Sequence, residues 1–226
     1  MTTEVLTPGD MGSITKAFRS FCRKIGIQIV PLTVGQTELL RKYPDLRYRH
    51  FGEREALLTQ SGQINVREAR FLGSLVRQLP EGPIIELGTL FGWSARILTL
   101  FKEPERALLT VDNYTWNPFG IPPELHFQTT ATILAEAIQS NHVRLVKSDS
   151  GAFWGSYAGP PPALVFIDAD HSYEAVRVDI AGAKVAGARV ICGHDYGNRC
   201  PGVVRAVEEA GGVKELVDRL WVLKQG

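Results

Sequence analysis

Ionisable side chains crowd two short stretches in the C-terminal half of the sequence. The first contains Asp168, Asp170 and His171, and the second contains the adjacent pair His194 and Asp195. Carboxylates and imidazoles are costly to bury unless they act together or hold a cation. Asp168 and Asp195 offer the oxygen ligands that a hard divalent ion prefers. The pattern therefore predicts a site for a cation, for proton transfer, or for both.

Proton transfer falls to Asp170 and His171 if Asp168 and Asp195 hold the ion. Without an ion His171 becomes the better base, because its unperturbed pKa lies nearest neutrality. Plain structural roles stay open as alternatives. Asp170 or His171 could cap the helix that follows, and His194 could be a hydrogen-bonded residue at a strand end.

A ligand loop is predicted upstream, where an apolar strand reaches Glu86, Gly88 and Gly92 before a helix begins. A dinucleotide fingerprint, G-x-G-x-x-G, needs glycine at the positions that Leu90 and Trp93 occupy here. The spacing thus disfavours a pyrophosphate. It suits a ligand whose charged amino-acid end meets Glu86 and whose ribose and base continue past the next strand. S-adenosylmethionine (SAM) is such a ligand.

Two further strand ends offer contacts to the rest of such a ligand. Asp112, followed by Asn113, can accept hydrogen bonds from both ribose hydroxyls, because bonds to a charged acceptor are strong. Asp149 and Ser150 can meet the adenine amino group. The alternatives are a strand-end turn at Asp112 and a helix N-cap at Asp149.

The elements around these loops alternate between strand and helix from about residue 83, which predicts an α/β fold with helices on both faces of a mostly parallel sheet. Strands are predicted over 84–87, 107–112, 143–147, 163–168 and 189–193, and helices over 94–101, 129–140, 173–186 and after 201. Segment 213–224 breaks at Asp218-Arg219 and predicts an antiparallel hairpin. The site loops follow carboxyl ends of strands, where open α/β sheets bind ligands.

Composition bounds the class of protein. With 226 residues, 44% of them apolar, the chain suits one globular α/β domain over 66–226 behind a helical or lid segment over 1–65. A net charge of +1 gives no reason to expect a nucleic acid or a membrane as partner. Three cysteines without C-x-x-C spacing predict reduced thiols. With no apolar leader or spanning stretch, we expect a cytoplasmic protein.

The order of these motifs resembles that of class I SAM-dependent methyltransferases. The resemblance covers about residues 60–224, and its most discriminating part is Asp-x-Asp-His-Ser-Tyr-Glu, which begins at Asp168. Within the class the chain is similar to the small O-methyltransferase-like family related to the macrocin and novobiocin sugar O-methyltransferases, and more distantly to catechol O-methyltransferase.

The resemblance implies a Rossmann-like class I fold, with a seven-stranded sheet that ends in an antiparallel hairpin. The SAM-binding residues that it implies are Glu86, Gly88, Thr89, Gly92, Trp93, Ser94, Asp112, Asn113, Asp149, Ser150 and Asp168. It further implies Asp168 and Asp195 as ligands of Mg2+ or another divalent cation, and Asp170 as general base. Those relatives have Asn or Asp at the third ligand position, where this chain has His194 or Tyr196. Two alternatives therefore stay open, that the site binds a metal ion weakly or that it binds none.

We expect methyl transfer from SAM to a hydroxyl of a small molecule, a sugar or a phenolic natural product. Residues 1–60 and 113–128, with Tyr114, Trp116, Phe119 and His126, could form an aromatic lid over this acceptor or a packed surface loop. The sequence leaves open whether a second copy of the chain, in a homo-oligomer, completes the pocket. A SAM-binding protein without transferase activity is the alternative, and an NAD-type oxidoreductase a distant third. The ionisable cluster favours the enzyme.

Overall fold

The computed structural model describes residues 64–117, 120–140 and 142–224. The strands are β1 Ile84–Leu87, β2 Leu108–Asp112, β3 Arg144–Lys147, β4 Leu164–Ile167, β5 Val190–Gly193, β6 Val213–Val217 and β7 Leu220–Leu223. The helices in these ranges are α1 Val66–Val76, α2 Trp93–Phe101, α3 Pro123–Ile133, α4 Ala135–Gln139, α5 Ser150–Ser156, α6 Tyr173–Val185 and α7 Pro201–Glu209. Nearly all of the expected 1–65 segment lies outside the described residues, so the division at 65/66 stays a prediction.

The strands form one seven-stranded sheet in the order β3-β2-β1-β4-β5-β7-β6. Strands β1 to β5 are parallel, whereas β7 runs antiparallel between β5 and β6. The predicted Rossmann-like sheet with a C-terminal hairpin is confirmed. The chain moves outward from β1 to β3 and then returns to β4, so the strand order reverses between β1 and β4. Open α/β sheets bind ligands at the carboxyl ends of the strands beside such a reversal.

Strand register brings the predicted site loops to one edge of this sheet. Leu87 pairs with Val111 on one side and with Ile167 on the other, and Ile167 pairs with Gly193. The residue that follows each of these four strand residues therefore lies at the same edge of the sheet. Those residues are Gly88, Asp112, Asp168 and His194.

Alternation along the strands sorts the side chains between the two faces of the sheet. Ile85 and Leu87 of β1 belong to the same buried cluster as Ile180 of α6 and Val207 of α7. Each such side chain stabilises the fold by about 1.5–3 kcal/mol relative to an exposed position. Glu86 lies between Ile85 and Leu87, so its carboxylate points to the opposite face.

The helices differ in places from the sequence-based expectation. The helix predicted over 129–140 begins earlier, at Pro123, because proline suits the first turn of a helix. It is also interrupted at Leu134, where φ is −95° and ψ is 7°. Helix α5 follows Asp149, where the sequence offered a helix cap only as an alternative, and residues Val66–Val76 form α1. None of the helices in the described ranges is long and apolar enough to cross a membrane.

Candidate active site

Gly88 and Gly92 frame the loop between β1 and α2, and both adopt left-handed backbone conformations, with φ of 92° and 82°. A Cβ atom on Gly88 would lie 2.1 Å from the carbonyl oxygen of Asp168. A Cβ on Gly92 would lie 2.7 Å from the side chain of Leu134. Glycine is therefore required at both positions by backbone conformation and by close packing within the protein.

Leu90, at the tip of the loop, is also left-handed, with φ of 46°, which is uncommon for a residue with a side chain. Its N–H donates to Oδ2 of Asp112 at 2.9 Å. Its carbonyl oxygen accepts from Oγ1 of Thr130 at 2.6 Å and lies 3.0 Å from Nε2 of His126. Contacts from β2 and α3 thus hold this strained residue in place.

Asp112 uses its carboxylate mainly to brace this loop. Oδ2 accepts the N–H groups of Thr89 and Leu90, both at 2.9 Å, and Oδ1 accepts the N–H of Tyr114 at 2.6 Å. A carboxylate has about four acceptor positions, so three of them are taken by the backbone. The predicted ribose contact stays a prediction, and Asp112 retains room for about one hydroxyl rather than a pair.

Glu86 is fully buried beneath the loop. Its Oε2 accepts the hydroxyl of Thr110, and its Oε1 receives no hydrogen bond from the described residues. Burial raises the pKa of Glu86 to about 8, an effect that the nearby hydroxyls of Ser94 and Thr110 only partly oppose. A buried carboxyl group with one oxygen that lacks a hydrogen bond is suited to pair with a cationic group.

The remaining predicted contacts of the nucleoside have local structural roles. Asn113 accepts the N–H of Thr115 through Oδ1 at 2.9 Å, which closes a turn. Asp149 caps α5 by accepting the N–H of Ala152 at 2.8 Å. The cap that the sequence left as an alternative is present at Asp149, and Ser150 begins the helix behind it.

The ionisable groups that follow β4 and β5 meet beside the loop. Nε2 of His171 lies 3.5 Å from Oδ1 of Asp168 and 3.3 Å from Oδ2 of Asp195. Nδ1 of His194 lies 3.9 Å from Oδ1 of Asp168 and 3.7 Å from Oδ1 of Asp195. We call these four residues the ionisable cluster. Asp168, His194 and Asp195 each offer an atom with which to hold one metal ion.

Charges around His194 favour its protonated form while no ion is present. Burial opposes the charge, but the carboxylates of Asp195, Glu68 and Asp168 outweigh it and raise the pKa of His194 to about 10. Burial alone would raise the pKa of Asp195, yet the neighbouring histidines and Arg219 lower it. At Asp168 burial outweighs the same histidines and raises the pKa, so only Asp195 is fully balanced by cationic partners.

Residues 85–196 match a family model, Methyltransf_24, which is described as a methyltransferase domain. These residues form a methyltransferase domain. The match spans both the glycine loop and the ionisable cluster, and it confirms the expectation of a methyltransferase. Among curated protein sequences, none matches this chain.

Solved structures share the fold of this methyltransferase at low identity. The O-methyltransferase TomG from Streptomyces achromogenes, crystallised with SAM, is 17% identical with a TM-score of 0.53, covering 98% of this chain and 100% of its own. The Bacillus cereus O-methyltransferase, in complex with the product S-adenosylhomocysteine, is 18% identical with a TM-score of 0.53 and coverages of 85% and 84%. CalS11, a TDP-rhamnose 3'-O-methyltransferase, is 16% identical with a TM-score of 0.52 and coverages of 99% and 97%.

The methyltransferase brings most of its predicted site residues to one edge of the sheet, and Asp170 lies next to His171 with its side chain turned to the following loop. Asp170 is exposed, and its Oδ1 accepts the N–H of Ser172 at 2.7 Å. Ser172 caps α6, so neither Asp170 nor His171 is the helix cap. Tyr196 donates its hydroxyl to Glu208, which leaves His194 as the residue at the third ligand position.

Two residues of the methyltransferase site were not foreseen from the sequence. Glu68 of α1 lies 3.1 Å from His194, and Arg219 of the β6–β7 turn donates to Asp195 at 2.5 Å. His126, which was predicted in an aromatic lid or a packed surface loop, is buried and contacts the carbonyl oxygen of Leu90. Glu68 carried a helix-start signal, Asn-x-x-Glu, and Arg219 sat in a predicted turn. Neither signal indicates contact with strand β5.

Proposed function

We propose that this protein transfers the methyl group of SAM to a hydroxyl group of a small molecule, a sugar or a phenolic compound. The observation that carries the proposal is the position of Asp168. Its carbonyl oxygen packs on Gly88 of the ligand loop, while its carboxylate faces His171 and His194. One residue thus joins the proposed methyl-donor site to the ionisable cluster, as transfer between two neighbouring ligands requires.

Glu86 fits the methionine end of SAM. Its Oε1 is buried and receives no hydrogen bond from the described residues, and a cationic ammonium group offers the hydrogen bonds that this atom lacks. When bound, SAM supplies a sulfonium ion whose methyl group is electrophilic. The chain then needs to align an acceptor hydroxyl with that group and remove its proton.

The ionisable cluster fits a divalent cation. Nδ1 of His194 is fully buried and makes no hydrogen bond within the described part of the chain. It faces the oxygens of Asp168 and Asp195 at distances too long for hydrogen bonds. These three residues would hold the ion, and a bound cation would make an acceptor hydroxyl more acidic.

His171 is the base that the contacts favour. Nε2 of His171 faces Asp168 and Asp195, and their carboxylates raise the pKa of His171 although burial opposes this. A neutral ring that keeps its proton on Nε2 leaves Nδ1 to accept the proton of the hydroxyl. Asp170, which the family resemblance favours, is the second candidate.

Calorimetry and an activity screen test the proposal together. We expect SAM and S-adenosylhomocysteine to bind, and NAD not to bind. Incubation with SAM and panels of glycosides and catechols should then yield a methylated product by mass spectrometry. Tight binding of NAD without binding of SAM would reject the proposal, and SAM binding without any methylation would favour a SAM-binding protein that is not a transferase.

A further inference from the structure

Glu68 is a fully buried carboxylate that lies outside the segment matched by the methyltransferase family model. Its Oε2 accepts the N–H of Asn65 at 2.8 Å, which completes the capping box of α1. Its Oε1 accepts the N–H of Arg219 at 2.9 Å and lies 3.1 Å from Nε2 of His194. Helix capping requires only the first oxygen. The second oxygen therefore serves a different purpose, at a site 126 residues away in the sequence.

The contact with Glu68 determines which nitrogen of His194 is free. An ionised carboxylate only accepts hydrogen bonds, so Nε2 of His194 must carry the proton that is donated to Oε1. A cation bound at Nδ1 would displace the second proton of the ring, and the lone pair would then lie on Nδ1, the atom that faces Asp168 and Asp195. Histidines that bind metals commonly donate their other nitrogen to a carboxylate in this way, which fixes the orientation of the ring.

The donor atom at Nδ1 favours one class of ion. Nδ1 lies 3.7 Å from Asp195 and 3.9 Å from Asp168. Both distances exceed the ligand spacing of about 3.0 Å around an octahedral Mg2+ and of about 3.4 Å around a tetrahedral ion, so a bound ion would draw these ligands closer together. An imidazole nitrogen suits Zn2+ or Co2+ better than Mg2+.

We propose that Glu68 is a positioning residue that holds His194 as a nitrogen ligand, so that the site prefers Zn2+ or Co2+ to Mg2+ by a margin that depends on Glu68. This inference rests on the cation site of the proposed function. The chain offers a matched control in Asp218, which accepts hydrogen bonds from Asn65 and Arg67 at the same junction between α1 and the β6–β7 turn. Within the described part of the chain, Asp218 forms no hydrogen bond or ion pair with His194 or with the ionisable cluster.

The test titrates the full-length protein, freed of metal, with Co2+ and separately with Mg2+, using calorimetry and the visible absorption of bound Co2+. Glu68→Gln retains the shape of the side chain but leaves a single oxygen for three N–H donors. We expect Glu68→Gln to weaken Co2+ binding about 10- to 100-fold, the range found for such supporting partners. Mg2+ affinity and SAM affinity should change less than about threefold, and Asp218→Asn should match the wild type throughout.

Different results overturn different steps. If Glu68→Gln binds Co2+ as tightly as the wild type, Glu68 does not position His194. If Asp218→Asn loses as much Co2+ affinity as Glu68→Gln, Glu68 only supports the junction between α1 and the β6–β7 turn, and the positioning role is overturned. A wild-type protein that binds SAM but neither ion would overturn the inference and leave the methyl-donor site intact. Should Glu68→Gln fail to fold, His194→Asn decides: we expect its preference for Co2+ over Mg2+ to fall at least about tenfold, and an unchanged preference would reject nitrogen ligation.

Discussion

The two halves of the site are built on different principles. On the β1–β2 side, the loop is fixed by backbone hydrogen bonds and close contacts, and Asp112 is largely occupied by N–H groups. On the β4–β5 side, charged groups face one another at 3.3–3.9 Å, with Nδ1 of His194 unbonded in the described part of the chain. A braced loop defines a shape for a ligand, whereas an incompletely bonded cluster is suited to accept a cation or a proton. Variants on the β1–β2 side should therefore change SAM affinity or stability, whereas variants on the β4–β5 side should change the methylation rate.

The largest effect should come from the proposed base. His171→Asn should lower the methylation rate about 100- to 10,000-fold, the usual range for loss of a general base, and leave SAM affinity unchanged. Initial rates at saturating SAM measure this, with Asp170→Asn as the comparison, for which we expect less than about a tenfold loss. An inactive Asp170 variant beside a competent His171 variant would exchange their roles.

Packing at the loop predicts the next effect. Gly88→Ala places a Cβ 2.1 Å from the Asp168 carbonyl oxygen and should cost about 3 kcal/mol or more of unfolding free energy. Gly120→Ala is the control, since it shares a left-handed backbone with φ of 64° but meets no described atom within 4 Å. It should cost about 1–2 kcal/mol. Denaturant unfolding compares the two, and equal losses would show that contact with Asp168 is unimportant.

Removal of divalent ions separates the two halves directly. Excess chelator should lower the methylation rate about 100-fold, because the acceptor loses the cation that acidifies it. The dissociation constant for SAM should change less than about twofold. Full activity in excess chelator would contradict the cation site. Asp168 and Asp195 would then act only through their contacts with His171.

On the loop side, Asp112→Ala should weaken SAM binding about 10- to 100-fold, or roughly 1.5–3 kcal/mol, through loss of the loop brace and of a ribose contact. The rate at saturating SAM should fall much less. Thr115→Ala, which removes only a hydroxyl that donates to Asn113 in the neighbouring turn, is the matched variant for calorimetry. Equal SAM affinities for the two variants would show that Asp112 contributes nothing specific.

The smallest effect, measured per pH unit, is a protonation change at Glu86. Its pKa rises from 4.5 to about 8 on folding, so between these pH values the folded state holds a proton that the unfolded state has lost. Stability should therefore fall as pH increases through this window, by at most about 1.4 kcal/mol per pH unit, and level off above pH 8. Glu86→Gln should flatten that slope in unfolding measurements.

Binding of SAM should also remove this proton from Glu86. Its ammonium group favours ionised Glu86, so binding at pH 7 should release up to about one proton from the wild type and less from Glu86→Gln. Calorimetry in two buffers of different ionisation enthalpy counts the protons released. Binding without proton release would place the ammonium group away from Glu86.

Local pattern was enough to predict much of this molecule. Apolar runs of four to six residues that end in polar loops indicated β1 to β5, and their carboxyl ends indicated the edge where Gly88, Asp112, Asp168 and His194 meet. The break at Asp218-Arg219 indicated the hairpin. Helix boundaries were less accurate, because a short helix such as α5 depends on one cap, Asp149, and on packing rather than on periodicity.

What the sequence by itself determined is the order of strands and loops and the residue types gathered at the sheet edge, since these follow from periodicity and motif spacing. The methyltransferase family was indicated by the resemblance of these motifs to those of known enzymes. What only the tertiary structure decided is which atoms of those residues are free. Glu68 reaches His194 from 126 residues away, and Asp112 turns out to be committed to loop amides. Such contacts depend on how helix α1 and the β6–β7 turn pack at the end of the sheet, and no local pattern encodes a distance between segments so far apart in the chain.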